Sequence, residues 1–273
     1  MTLLRKSGRN TIELLAGALV IVALASLAGV PGLSPRHRSA EGANGNDPTP
    51  PTQLETPAAS PSPTPACEEP TIIGKVVVAS VAARTSPSSD APVIAHYRRI
   101  NPQGSPQVFD LGPSIADSSG NTWFQALLPI RPNGTMGYIP GASVQVTQTP
   151  YRIVVDRQKL RLTVSKGCSQ VMQLRIGLGK ESTPTPNGNF YIISLLKPPV
   201  AGSVYGTYAY GLSAFSNAVT IKSWEGGGII GLHGTNDPAS IGNRQSHGCI
   251  RMYNWDIAKL VPILPLGTPV EIR

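Results

Sequence analysis

Two histidines and one cysteine cluster in a short, glycine-rich part of the chain. His233, His247 and Cys249 fall within 17 residues, although the whole chain has only four histidines and three cysteines. A cysteine nucleophile needs a base to form its thiolate and an acid to protonate the leaving amine, and a nearby histidine can do both. Gly248 leaves backbone N–H groups free to face an oxyanion, and Arg251 can hold a carboxylate or fix the loop. The cluster therefore predicts covalent cysteine catalysis.

A structural role and metal binding are the two alternatives for this cluster. An isolated cysteine or histidine is more often a buried filler or a solvated surface group, but here three such residues share polar, glycine-rich loops. Asp237 could join them as a metal ligand, yet the spacing fits neither the paired Cys-x-x-Cys nor the His-x-x-x-His pattern of zinc sites. We therefore expect no metal.

Two glycine-containing motifs do not fit a nucleotide site or a serine nucleophile. Gly177-Leu-Gly-Lys180 has Leu174 and Glu181 where a phosphate loop needs glycine and serine or threonine. It also lacks the third glycine of a dinucleotide fingerprint. In the segment 211–215, Phe215 replaces the final glycine of a nucleophile elbow.

Short β-branched and aromatic runs predict a mostly β domain over residues 150–273. Tyr151–Val155 and Lys159–Val164 flank a turn and predict a hairpin. One short helix is predicted at Asn254–Val261, with Asn254 as its N-cap. Further strands are predicted at Val171–Ile176, Asn189–Ile193, Ala218–Ile221, Ile229–Leu232 and Leu266–Ile272.

Residues 71–149 predict a separate small β module. Its strands are predicted at Ile72–Val78, Val93–Tyr97, Thr122–Leu128 and Met136–Ile139. An Ala-Arg-x-x-Pro start at 83–87, a Trp-Phe strand at 123–124 and a Gly-Tyr-Ile ending at 137–139 resemble a bacterial SH3-like domain. This resemblance implies a small barrel that binds cell-wall peptides. The alternative is a barrel that binds no ligand and acts only as a spacer between the linker and the next domain. The stretch 98–121 is interpreted as a long loop.

The reactive cluster lies within longer motifs. His233-Gly-Thr-Asn-Asp-Pro238, Ser246-His-Gly-Cys-Ile-Arg-Met252 and Thr183-Pro-Thr-Pro-Asn-Gly-Asn-Phe190 resemble the L,D-transpeptidase catalytic domain, of the YkuD type, over residues 151–273. Asn189 departs from the threonine or other small residue usual in this family. The resemblance implies a mostly β, sandwich-like domain with a short helix.

The resemblance also implies roles for individual residues. Cys249 is expected to be the nucleophile and His233 the acid and base, with the imidazole oriented by a backbone carbonyl, that of Gly234. His247 is expected to line the site and support the oxyanion or the thiolate. Backbone N–H groups near Gly248 and Cys249 are the expected oxyanion donors. The loop is expected to be shaped by Ser246, Gly248 and Arg251.

The reaction that this family implies is a two-step acyl transfer on peptidoglycan, with no metal or organic cofactor. Cys249 attacks the carbonyl of the third residue of a stem tetrapeptide, D-Ala leaves, and an amine of a second stem takes the acyl group. Three alternatives stay open: an L,D-carboxypeptidase that uses water as acceptor, another cysteine peptidase or sortase-like enzyme of the cell wall, and a non-catalytic wall-binding protein.

The first seventy residues predict a targeting segment followed by an extended linker. Three basic residues precede an apolar run whose uninterrupted core, Leu14–Val30, has 17 residues. Residues 1–33 are therefore interpreted as a signal peptide or a signal anchor. Seven prolines between positions 48 and 65 make residues 34–70 an extended, disordered linker. We expect the rest of the protein outside the cytoplasm, anchored to the membrane or secreted.

Composition and charge limit the fold class and the kinds of binding partner that this chain can have. Glycine and proline, with 28 and 27 residues, exclude an all-helical protein. Residues 151–273 carry 13 basic and 6 acidic side chains, which predicts an anionic partner such as a wall polymer. The motifs of nucleic-acid binding are absent from the sequence, so no nucleic-acid partner is expected. In an oxidising exterior, Cys67 and Cys168 are expected to pair and leave Cys249 as the free thiol.

Overall fold

The fold is described by a computed structural model that covers residues 69–219 and 228–273. These residues form two β-rich modules, 71–149 and 150–273, which belong to one compact unit. Within the described part of the chain, no helix is long and apolar enough to cross a membrane. The predicted signal segment and almost all of the predicted linker lie outside the described residues.

Seven strands build the first module into one antiparallel sheet. They are β1 (Thr71–Val76), β2 (Ser80–Arg84), β3 (Val93–Arg98), β4 (Val108–Ala116), β5 (Thr122–Leu127), β6 (Met136–Pro140) and β7 (Val144–Thr149). Their order across the sheet is β3-β2-β6-β5-β4-β1-β7. The four predicted strands of this module are confirmed, with bounds that differ by one or two residues. The resemblance to an SH3-like domain stays a prediction.

The interpretation of 98–121 as a long loop is wrong. β4 occupies nine residues of this stretch and lies between β1 and β5 in the sheet. Val108, Phe109 and Leu111 are buried, whereas the second half of the strand is mostly exposed. The sequence of this stretch is not typical of a strand, because it contains Asp110 and the Gly112-Pro113 pair, and all three residue types are depleted in strands.

The second module contains ten strands and one short helix among the described residues. The strands are β8 (Tyr151–Asp156), β9 (Arg161–Lys166), β10 (Ser169–Arg175), β11 (Leu178–Gly179), β12 (Gly188–Leu196), β13 (Ala209–Phe215), β14 (Ile229–His233), β15 (Arg244–Ser246), β16 (Ile250–Arg251) and β17 (Pro269–Ile272). Eight of them form a sheet in the order β10-β9-β8-β17-β12-β13-β14-β16. The helix, α1, is Asn254–Leu260. The predicted hairpin is confirmed as β8 and β9, with Tyr151 opposite Lys166.

β13 was not predicted, although it is a central strand of this sheet. It lies between β12 and β14 and is buried along most of its length. Because both of its faces are covered, its sequence shows no polar and apolar alternation. The strand predicted at 218–221 is wrong where it can be checked: residues 218 and 219 follow the end of β13 and are not extended strand, and residues 220–221 lie outside the described ranges.

An apolar cluster joins the two modules. Its buried members are Ile73 and Val108 from the first module and Tyr191 and Ile193 from β12. The Tyr191 hydroxyl donates to the carbonyl of Leu127 at 3.1 Å, so this buried polar group is satisfied across the interface. The sheet that carries the reactive residues is therefore packed directly against the first module.

Candidate active site

Two neighbouring parallel strands bring the predicted histidine and cysteine together. β14 pairs with β16 so that Leu232 lies opposite Ile250 and His233 opposite Arg251. Leu232 and Ile250 are fully buried and anchor both strands in the core. Cys249 directly precedes this pair, and paired strands lie about 4.8 Å apart. His233 and Cys249, which are 16 positions apart, thus become neighbours at one sheet edge.

Gly231 provides the space between the two reactive side chains. A Cβ atom at this position would lie 3.2 Å from Cδ2 of His233 and 3.6 Å from Sγ of Cys249. The Gly231 N–H donates to Sγ of Cys249 at 3.3 Å. A larger residue here would therefore fill the space into which both side chains project.

The imidazole of His233 is buried and held in one tautomer. Its Nδ1 lies 2.5 Å from the carbonyl oxygen of Gly234. Because a carbonyl can only accept, Nδ1 carries the proton, and Nε2 is the acceptor nitrogen. Burial, reinforced by the positive charge of Arg251, lowers the pKa of His233 to about 4 against the opposing effect of the Gly234 hydrogen bond. The ring is therefore a neutral base at neutral pH.

Cys249 is poised as a protonated thiol at rest. Burial raises the pKa of its thiol, while the Gly231 N–H and the charge of Arg251 act in the opposite direction. A neutral thiol beside a neutral imidazole requires proton transfer during attack, which is the task of a general base. The arrangement can thus form a thiolate at the moment of reaction without a permanent ion pair.

Hydrogen bonds fix the backbone before the cysteine. Ser246 Oγ donates to the carbonyl of Cys249 at 2.6 Å, and Thr185 Oγ1 donates to the carbonyl of Gly248 at 2.9 Å. Gly248 has a φ of +118°, which favours glycine. The Gly248 N–H donates to Ser246 Oγ at 3.1 Å, so it braces the loop, and the oxyanion donors near Gly248 and Cys249 stay a prediction.

Arg251 is fixed from both sides. Its N–H and carbonyl each pair with the main chain of Gly177 at 2.8 Å, and its Nη1 lies 3.9 Å from a carboxylate oxygen of Asp237. A Cβ on Gly177 would approach the carbonyl oxygen of Ser240 to 2.4 Å. The glycine of the rejected phosphate-loop motif therefore permits close packing behind the site.

Comparisons with known proteins assign the second module. The YkuD family model, which describes the L,D-transpeptidase catalytic domain, matches residues 150–272. The YkuD protein of Bacillus subtilis is 37% identical over 154 residues, which cover 54% of this chain and 85% of that protein. The chain belongs to the L,D-transpeptidase family. This family comprises acyltransferases that cross-link peptidoglycan through a cysteine.

Further similarities were found to a second Bacillus protein and to a solved structure. YqjB of Bacillus subtilis is 30% identical over 155 residues, which cover 55% of this chain and 81% of that protein. A solved L,D-transpeptidase from Mycobacterium tuberculosis H37Rv aligns with 14% identity and a TM-score of 0.38, over 56% of this chain and 90% of that chain. The assignment rests on the family model and the Bacillus sequences, and it confirms the resemblance predicted for residues 151–273.

Tyr205 is part of this L,D-transpeptidase site, although no motif in the sequence marks it. Its ring contacts the His233 ring edge to face, with centroids 5.1 Å apart. Burial and the negative charge that Cys249 can carry both raise the pKa of Tyr205. The phenol is therefore neutral and lies within electrostatic reach of the sulfur. The segment between β12 and β13 that carries it has no motif that could have predicted this position.

Asn254 supports the site instead of capping α1, so its predicted N-cap role is wrong. The N-cap position is Tyr253, which makes no side-chain cap hydrogen bond. The Asn254 amide accepts from the Thr235 N–H at 3.0 Å and donates to the Thr235 carbonyl at 2.9 Å. It also accepts from the Thr207 N–H at 3.2 Å. One side chain thus ties the loop after His233 to the segment that carries Tyr205.

The structure also bears on the predictions for His247, for the cysteine pairing and for metal binding. The side chain of His247 is exposed at the tip of the loop before Cys249. Cys249 is a free thiol and Cys168 is disulfide-bonded, whereas Cys67, its predicted partner, lies outside the described residues. Within residues 69–219 and 228–273, no group of three or more His, Cys, Asp or Glu side chains could hold a metal ion.

Proposed function

We propose that this protein is a peptidoglycan L,D-transpeptidase in which Cys249 is the nucleophile. The observation that carries the proposal is the pairing of β14 with β16, which places a neutral, oriented His233 beside a free, half-buried thiol. Membership of the L,D-transpeptidase family supplies the substrate class, the stem peptides of peptidoglycan.

The first step transfers the acyl group to the enzyme. Nε2 of His233 takes the thiol proton while Sγ of Cys249 attacks the carbonyl carbon of the third stem residue. When the tetrahedral intermediate collapses, the C–N bond to the terminal D-Ala breaks. His233 returns the proton to the departing amine, and a thioester remains on Cys249.

The second step transfers the acyl group to an amine of another stem. That amine attacks the thioester carbon and gives a proton to His233, the C–S bond breaks, and the sulfur regains a proton. Because the site favours the neutral forms of both groups at rest, each charge separation is temporary. Arg251 lowers the energy of the transient thiolate through its positive charge.

The other predicted features complete the proposal. His247 lines the substrate entrance, Ser246 and Gly248 hold the nucleophile loop, which is residues 246–249, and the carbonyl of Gly234 orients the base. Residues 1–33 direct the chain across the membrane, as a signal peptide or an anchor, and residues 34–70 carry the SH3-like module and the enzyme toward the cell wall. The basic charge of residues 151–273 suits anionic wall polymers.

Intact-mass spectrometry tests the chemistry. The full chain and its Cys249→Ala variant are incubated with a purified tetrapeptide muropeptide. We expect an adduct equal to the muropeptide minus D-Ala on the wild type only. Cross-linked muropeptides then identify a transpeptidase, and free tripeptide alone identifies an L,D-carboxypeptidase. A folded wild type that forms no adduct and releases no D-Ala would contradict the proposal.

A further inference from the structure

One of the segments through which the first module contacts the catalytic module is the loop 128–135, between β5 and β6. Asn133 in this loop pairs with the main chain of Phe215 at the end of β13. Its Nδ2 donates to the Phe215 carbonyl at 2.8 Å, and its Oδ1 accepts from the Phe215 N–H at 2.9 Å. The side-chain amide therefore provides a partner for both main-chain polar groups of Phe215, as a neighbouring strand would.

Arg131 extends the same contact by one residue. Its Nη1 donates to the carbonyl of Ser216 at 2.7 Å, and its Nη2 lies 3.4 Å from the carbonyl of Val219. The guanidinium lies 5.0 Å from the centre of the Phe215 ring, within the range of a cation–π contact. Two side chains of the first module thus hold the backbone of residues 215–219.

The held segment lies against the nucleophile loop. Ser216 is buried, and its N–H donates to the carbonyl of Gly228 at 2.8 Å. Its Oγ lies 3.8 Å from the position that a Cβ on Gly248 would take, and Cδ1 of Ile230 lies 3.0 Å from the same point. Gly248 directly precedes Cys249. Asn133 and Arg131 therefore hold a segment in which Ser216 borders the open space beside Gly248.

We propose that Asn133 and Arg131 are positioning residues for the acyl-transfer reaction, so that the first module forms part of the support of the active site. Buried main-chain groups that lose their partner cost free energy, and the segment would shift to recover hydrogen bonds. A shift of about 1 Å near reacting atoms can lower a rate by about 10²-fold. The expected effect on turnover rests on the proposed function.

The chain offers a matched control for this proposal. Asn101 also reaches from the first module to the second, and its Nδ2 donates to the carbonyl of Ile193 at 2.9 Å. Its Oδ1 accepts from the Ser105 N–H at 3.0 Å. Asn101→Asp and Asn133→Asp therefore make the same chemical change. In each variant the side-chain oxygen can still accept its hydrogen bond, and the hydrogen bond that the amide nitrogen donates to the second module is lost. The two variants differ in where the contacted backbone lies: Asn133 contacts the segment beside Gly248, whereas Asn101 contacts β12.

The experiment compares the two variants in the full chain by three measurements: the melting temperature, kcat and KM for D-Ala release from a tetrapeptide muropeptide, and the rate at which iodoacetamide alkylates Cys249. We expect both variants to lower the melting temperature, Asn101→Asp by more, because Asn101 is buried and Asn133 is half-buried and burying a charge costs free energy. Only Asn133→Asp should lower kcat, by about tenfold, with little change in KM. It should also change the alkylation rate of Cys249 by about threefold or more, since that rate depends on the surroundings of the thiol.

Two outcomes would overturn the proposal. Equal kcat and alkylation rates in both variants would show that the contact only docks the modules. A normal kcat and alkylation rate in Arg131→Lys, which keeps the charge but loses the planar donor pair, would do the same if Asn133→Asp does not fold. If the wild type releases no D-Ala, the proposed function fails, and the alkylation rates alone still decide whether these residues position Cys249.

Discussion

The reactive residues and the residues that support them are arranged in different ways along the chain. His233 and Cys249 are 16 positions apart and meet on adjacent strands. Tyr205, Asn254 and Asn133 come from three other parts of the chain, and their single side chains contact His233, Thr235 and Phe215, respectively. Chemistry is thus encoded in one short motif, whereas its geometry depends on long-range contacts. Substitutions in the motif should remove activity with little loss of folding stability. Substitutions of the supporting residues should partly reduce both activity and stability.

The largest effect should come from the base. We expect His233→Gln to lower kcat/KM for D-Ala release by about 10²- to 10⁴-fold, because general acid–base catalysis is lost. The matched control is His247→Gln, which changes an exposed histidine of the same motif and should cost less than about tenfold. If kcat/KM fell by a similar factor in both variants, His233 could not be distinguished from His247 as the general base.

The same histidine should make folding stability depend on pH. Its pKa falls from 6.5 to about 4 on burial, so the unfolded chain binds the proton first as pH decreases. The free energy of unfolding should therefore fall between pH 6.5 and pH 4, by about 3 kcal/mol from this group. Urea unfolding of the wild type and His233→Gln at pH 7 and pH 4.5 measures this. An unchanged pH dependence in the variant would contradict the assignment.

A support residue should affect stability and rate together. Asn254→Ala removes three hydrogen bonds to Thr235 and Thr207, two of which join the main-chain groups of Thr235. We expect a loss of about 1–3 kcal/mol in unfolding free energy and a lower kcat, because the loop after His233 loosens. Denaturant unfolding and D-Ala release are the measurements. Asn254→Asp, which keeps the accepted bonds, should fall between the wild type and the alanine variant.

The sequence predicted the chemistry of the site better than its surroundings. Residues with reactive side chains and fixed spacing, such as His233 and Cys249, are visible in the order of amino acids alone. β13 leaves no alternating pattern because it is buried on both faces. The sequence predicts Asn254 as a local cap because N-cap preference is a local rule. Its actual partners, Thr235 and Thr207, become neighbours only when the sheet forms. Such side-chain to main-chain contacts depend on the fold and leave no periodic pattern.

The smallest effect should come from Tyr205. Tyr205→Phe keeps the ring that contacts His233 edge to face and removes only the hydroxyl, so we expect kcat to fall by no more than about threefold. Tyr205→Ala also removes the ring, and the greater exposure of His233 to water should raise the pKa of the imidazole toward its usual value. The pH dependence of D-Ala release for the three proteins measures this. A large loss in Tyr205→Phe would instead assign the hydroxyl a direct role in proton transfer and move Tyr205 from the supports to the reactive residues.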